Sequence, residues 1–129
     1  MATDHNKDVV RRFIEEVLVG GQLERLDELA APNYVNRAFG VDLEAFKGML
    51  AGLTAALPER RFDIEELVAE GDAVVARFTS ELRDASGKVI SLRGLTYYRL
   101  AEGRIVEDDP FTTPDLAQEL AGLMATPPA

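Results

Sequence analysis

The chain contains no cysteine, and its only histidine is His5, close to the N-terminus. Without cysteine there is no disulfide, no thiol nucleophile and no thiolate metal site. With a single histidine, neither a His-rich metal centre nor a Ser-His-Asp triad is expected. Positive charge is scarce as well: 14 Lys and Arg stand against 23 Asp and Glu, for a formal net charge of −9. Such a polyanion lacks the basic clusters that grip nucleic-acid phosphates or anionic lipid surfaces, so neither is an expected partner. No apolar run reaches membrane-spanning length, and no signal-peptide pattern opens the chain. No phosphate loop or dinucleotide fingerprint occurs either. These absences point to a cytoplasmic protein that works without metal or cofactor.

What remains is an ordinary globular composition. The 129 residues, 47% of them hydrophobic, suit one domain over 1–129 with one core. Thr3 or Asp4 can cap a first helix, on which Val9, Val10, Phe13, Ile14, Val17 and Leu18 recur at helical spacing until Gly20-Gly21. A short second helix carries Leu23, Leu26 and Leu29 and is expected to end at Pro32. Asn33–Arg37 reads as an extended piece. A third helix from about Asp42 turns Leu43, Phe46, Met49, Leu50, Leu53 and Leu57 inward and ends at Pro58. The period then changes. Phe62–Ala69, Ala73–Arg83, Val89–Leu100 and Arg104–Phe111 read as strands joined by tight turns, a four-strand antiparallel meander. Pro114 and Asp115 can open a last short helix through Leu123, and the Thr126-Pro127-Pro128 tail is expected to fray. Helices followed by a meander predict an α+β fold, with helices on one face of a curved antiparallel sheet enclosing a pocket.

The chemically informative residues end the last strand. Glu107, Asp108 and Asp109 precede Pro110. Such a cluster is either a solvated strand end or a carboxylate facing an apolar cavity, where its pKa would rise into the range of a general acid/base. Strand alternation puts Val106 and Asp108 on one face and Asp109 on the other, unless a bulge intervenes. Arg93 belongs to the solvated face, or points inward with Leu95 and Tyr97 to hold an enolate or orient Asp109. Tyr34 and Asn36 can donate to a substrate carbonyl, and a buried Asn36 amide needs partners. Phe39, Phe46, Phe78 and Tyr97 serve as core or pocket lining, while Glu15, Glu16, Glu24 and Glu28 lie on solvated helix faces.

The chain resembles the SnoaL-like polyketide cyclases, within the nuclear-transport-factor-two-like (ketosteroid-isomerase-like) superfamily. The resemblance rests on Val10-Arg11-Arg12-Phe13, on Ala31-Pro32-Asn33-Tyr34-Val35-Asn36, on Leu67–Asp72 running into Ala76–Thr79, and on Gly94–Arg99 continuing through Gly103–Glu107. It implies a cone-shaped α+β barrel, a homodimer through the sheet, and cyclase or isomerase chemistry by an Asp acid/base. The substrate would be a hydrophobic, carbonyl-containing, polyketide-like molecule such as antibiotic biosynthesis supplies. In the family the last strand continues with His-Trp-Asp and an aromatic; with one residue deleted, Asp109 falls on the catalytic Asp and Asp108 on the His. The register so chosen favours Asp109, with Asp108 next. Arg37 stands where the family often has a second His. Substrate contacts are then expected from Asn36, Arg37, Tyr34, Arg93 and Tyr97. Two further readings are a non-catalytic small-molecule-binding domain of the same fold and an epoxide-hydrolase or ring-closing enzyme. The latter resembles an Asp-Arg-Asp set, but Leu95 takes the place of its second acid.

Overall fold

The structure, a computed structural model, describes residues 2–125. The expected tail at Thr126–Pro128 lies outside them. The first helical stretch divides into helix α1 (Ala2–Arg12) and a π-helical continuation, Phe13–Val19, in which Gly20 N–H bonds the Glu15 carbonyl at 3.0 Å. Widening the turn lets Phe13, Ile14 and Val17 all reach the core. A 3-10 turn (Leu23–Arg25) leads into the single-turn helix α2 (Leu26–Leu29). Helix α3 (Leu43–Ala56) starts where the Asp42 side chain accepts the Ala45 N–H at 2.9 Å, a cap worth about 1 kcal/mol. Helix α4 (Leu116–Ala125) closes the described chain.

The strands are β1 (Ala30–Asn36), β2 (Val41–Asp42), β3 (Glu59–Glu70), β4 (Ala73–Arg83), β5 (Val89–Ala101) and β6 (Arg104–Thr113). They form one open sheet in the order β2-β1-β6-β5-β4-β3. The meander expected from sequence is present as β3 to β6. The sheet is nevertheless mixed rather than wholly antiparallel, because β1 joins β6 in parallel. Pro32 therefore lies inside a strand rather than ending a helix. It sits in an irregular stretch between Ala30 and Val35, where a residue without an N–H is tolerated.

The helices cover one face of this sheet. Val74, Ala76, Tyr98, Leu100 and Ile105 from the strands pack against Val10, Phe13, Ile14 and Val17 from the first helical stretch and Phe46 and Leu50 from α3. A second cluster, Leu53, Leu57, Leu82, Ile90, Leu92 and Leu120, brings α4 onto the other end of the same face. Gly94 allows the backbone of β6 to approach β5 closely. A Cβ there would collide with the Phe111 carbonyl and come within 2.9 Å of the Thr112 Cα.

Candidate active site

The inner face of the sheet and the helices enclose a cavity of about 90 Å³. Its wall is overwhelmingly apolar, with Ile14, Phe46, Leu53, Phe62, Phe78 and Leu116 among its lining. Yet three of the fold's few buried polar side chains, Asn36, Thr96 and Asp108, also line it. Buried polar groups need partners, so their gathering in an apolar pocket makes it the candidate site.

The register of β6 explains how the acid arrives there. Leu100 pairs with Ile105 and Arg99 with Glu107, which leaves Val106 as a bulge. Ile105 and Val106 are both buried. After the bulge, Asp108 and Pro110 face the cavity, while alternation turns Glu107, Asp109 and Phe111 to the outer face. The expectation favouring Asp109 is thereby corrected. A bulge exists, but it precedes Glu107 instead of separating Asp108 from Asp109. Asp109 sits opposite Tyr97 and lines no part of the cavity.

On either side, β6 is flanked by the residues that serve its acid. Asp108 lies opposite Asn36 in the parallel pair and opposite Tyr98 in the antiparallel one. The Arg37 N–H bonds the Asp108 carbonyl at 2.8 Å and locks the first of these. The Tyr34 hydroxyl donates to Asp108 Oδ2 at 2.6 Å. Asn36 Nδ2 lies 3.4 Å from the Tyr34 hydroxyl, and Asn36 Oδ1 accepts the Phe39 N–H at 3.1 Å. Both phenol rings are fixed by packing. Tyr34 meets Phe46 at 5.1 Å between centroids, and Tyr98 meets Phe13 edge-on at 5.8 Å.

Electrostatics follow from this burial. Asp108 is 4% exposed. Loss of water pushes its pKa up to about 7; the Asp109 charge adds to the rise, and the Tyr34 and Asn36 side chains oppose it. The phenols of Tyr34 and Tyr98 are driven up in turn, first by burial and then by the neighbouring Asp108 charge, so both remain O–H donors at neutral pH. The arrangement thus offers a carboxyl that exchanges its proton near neutrality beside fixed donors, in an apolar enclosure.

The remaining residues expected at the site lie elsewhere. Arg37 is exposed and its Nε bonds Glu107 at 2.6 Å on the outer face, where Arg99 holds the same carboxylate. Those two cations keep the Glu107 carboxyl below its usual range. Arg93 lies in an outer depression with Asp63, Glu81 and Thr113, and Tyr97 shares its face, as the parity of β5 requires. The sequence reading missed Thr96, Tyr98 and Arg60. The alternation of β5 could have placed Thr96 and Tyr98 opposite Tyr97; nothing local to the sequence marks Arg60.

An open mixed sheet with helices on one face and a buried carboxyl in an apolar pocket defines an α+β cone fold. Within it, the chain belongs to the SnoaL-like domain family, which it matches over residues 10–108. A proposed SnoaL-like polyketide cyclase from Jannaschia sp. CCS1 has the same fold, with a TM-score of 0.76 at 21% identity over 97% of this chain and 95% of the other. A proposed polyketide cyclase from Acidithiobacillus ferrooxidans gives 0.74 at 26% identity over 92% and 96%. The proposed polyketide cyclase IdmH of Streptomyces antibioticus gives 0.73 at 23% over 90% and 98%. No curated protein matches the sequence significantly. Among the described residues no helix is long and apolar enough to cross a membrane.

Proposed function

We propose that this protein is a cofactor-independent cyclase or isomerase acting on a hydrophobic, carbonyl-containing small molecule, with Asp108 as general acid/base. The observation that carries this reading is a carboxyl buried in the wall of an apolar cavity and hydrogen-bonded to Tyr34, where loss of water pushes its pKa up to about 7. In its ionised form Asp108 removes a proton next to the substrate carbonyl; in its neutral form it returns one to the product carbon. The Tyr98 O–H and the Asn36 amide, both on the cavity wall, would stabilise the enolate oxygen that forms between those steps, while the Tyr34 O–H holds Asp108. The apolar cavity wall holds the reacting carbon near the acid.

Asp108 is the sole carboxylate on the cavity wall among the described residues, and Arg93 faces away from it. This favours single-acid proton transfer over an Asp-Arg-Asp epoxide mechanism. The test is α-proton exchange of 2-tetralone in D2O, followed by NMR. Exchange that requires Asp108 supports the reading. A ketone that binds without exchange would make the protein a binding domain of the same fold. The outer face carries Leu95 and Phe111 as cross-strand partners, 47% and 63% exposed, and we place a homodimer contact there. Sedimentation should then show a dimer that Leu95→Glu combined with Phe111→Glu converts to monomer.

A further inference from the structure

Among the described residues Arg60 is the only cation lining the cavity, and the proposed proton transfer makes no use of it. It is half-buried at the start of β3. Its Nε donates to the Leu18 carbonyl at 2.9 Å, and Nη2 donates to the Val19 carbonyl at 2.8 Å. Nη1 reaches the Leu57 carbonyl at 2.7 Å and that of Thr54 at 3.4 Å. These carbonyls end the π-helical segment and α3, where unpaired C=O groups carry partial negative charge. They fix the guanidinium without neutralising it. Arg12, Arg25, Arg37 and Arg99 each have a carboxylate partner, whereas Arg60 forms no ion pair among the described residues. The fork of five N–H groups also leaves one Nη2 hydrogen without a carbonyl.

Helix α3 touches the supports of both the cation and the acid at different points along its length. Phe46 packs on the Tyr34 ring, whose hydroxyl holds Asp108, while Thr54 and Leu57 hold Arg60. At about 1.5 Å of rise per residue, Thr54 lies about 12 Å further along the axis than Phe46. The wall between is apolar, formed by Met49, Leu50 and Leu53. The pocket is thus polar at both ends, with opposite chemistry at each.

We infer that Arg60 is a specificity-determining residue that binds an anionic group, a carboxylate or an acidic enol or phenol, at the end of the substrate remote from the reacting carbonyl. The substrate class narrows accordingly to a slender apolar acid, with its carbonyl at one end and its negative charge at the other. A guanidinium in an apolar enclosure favours a carboxylate over a neutral group by tenfold or more, the usual worth of a charge-assisted hydrogen bond. The same preference orients the substrate, because the carboxylate is repelled from Asp108 and attracted to Arg60.

The inference rests on the cavity being the ligand site proposed above, and the experiment separates the two. Octanoate and 1-octanol are titrated calorimetrically at pH 8 into the wild type, Arg60→Gln and Arg60→Lys. The expected result is octanoate binding about tenfold tighter than octanol to the wild type. Arg60→Lys should keep part of that preference and Arg60→Gln should lose it. Equal affinity of the two ligands for the wild type overturns the role of Arg60 and leaves the Asp108 chemistry standing, and this arm decides even if Arg60→Gln does not fold. A preference that survives in folded Arg60→Gln overturns it too. Binding of neither ligand overturns it together with the ligand-site reading.

Discussion

Asp108→Asn should make the protein inactive and, above neutral pH, more stable. In the folded chain the carboxyl titrates near pH 7, because burial penalises its charge. In the unfolded chain it titrates near the ordinary Asp value, about 3.9. Between these values the native state holds a proton that the unfolded state has released, so stability falls as pH rises through this window. A difference of about three pKa units at about 1.4 kcal/mol each amounts to roughly 4 kcal/mol, lost between about pH 4 and pH 7. Asparagine is nearly isosteric, keeps an acceptor for the Tyr34 hydroxyl and carries no charge to desolvate. Asp108→Asn should therefore recover a large part of that sum at pH 8, raising Tm by on the order of 10 °C, and little of it at pH 4.5. Thermal melts of both proteins from pH 4 to 9, with α-proton exchange measured in parallel, provide the check. Exchange should drop about 10²–10⁴-fold. A wild-type Tm that does not fall between pH 5 and 8, or an Asn variant destabilised equally across that range, would refute a buried carboxyl that ionises at a cost.

Tyr34→Phe removes a hydrogen bond that holds the Asp108 pKa down, so the acidic limb of the pH–rate profile should move up and exchange at pH 7 should fall. The same variant should lose about 1–3 kcal/mol at pH 8, where the carboxylate is left without its donor, and less at pH 5 in denaturant titrations. Asp109→Asn removes the charge that helps raise Asp108, so the acidic limb should shift down while the plateau rate above it stays unchanged. Gly94→Ala should cost about 2 kcal/mol or more in urea unfolding, since the new methyl meets strand backbone that cannot move aside without opening the sheet.

Local signals in the chain settled much of this architecture. The switch from helical to strand period after Pro58 is a matter of side-chain spacing, and the meander Glu59–Thr113 follows it closely. The apolar positions of α3 and the Asp42 cap are equally local, as are the turns at Gly71, Gly87 and Gly103, where positive φ suits glycine. The acidic end of β6 and the pair Tyr34 and Asn36 were also visible as candidates, because tyrosine, asparagine and clustered carboxylates are unusual in a buried strand.

Tertiary structure alone decided which candidates meet. One bulged residue, Val106, sets which of two adjacent aspartates is desolvated, and that choice depends on how Ile105 and Val106 are both buried beside β5. The parallel pairing of β1 with β6 joins segments some seventy residues apart, as the Tyr34–Asp108 bond shows, and no local pattern specifies it. Arg37, Arg93 and Tyr97 fell outside the cavity for the same reason that Asp108 fell inside, since strand parity is fixed by the sheet as a whole. Nothing in the sequence around it sets Arg60 apart. It becomes a fixed charge in an apolar pocket only when the carbonyl ends of two helices converge on it. The sequence determines elements through the periods and caps of neighbouring residues; the site arises from contacts between elements, where a shift of a single residue changes which side chain loses its water.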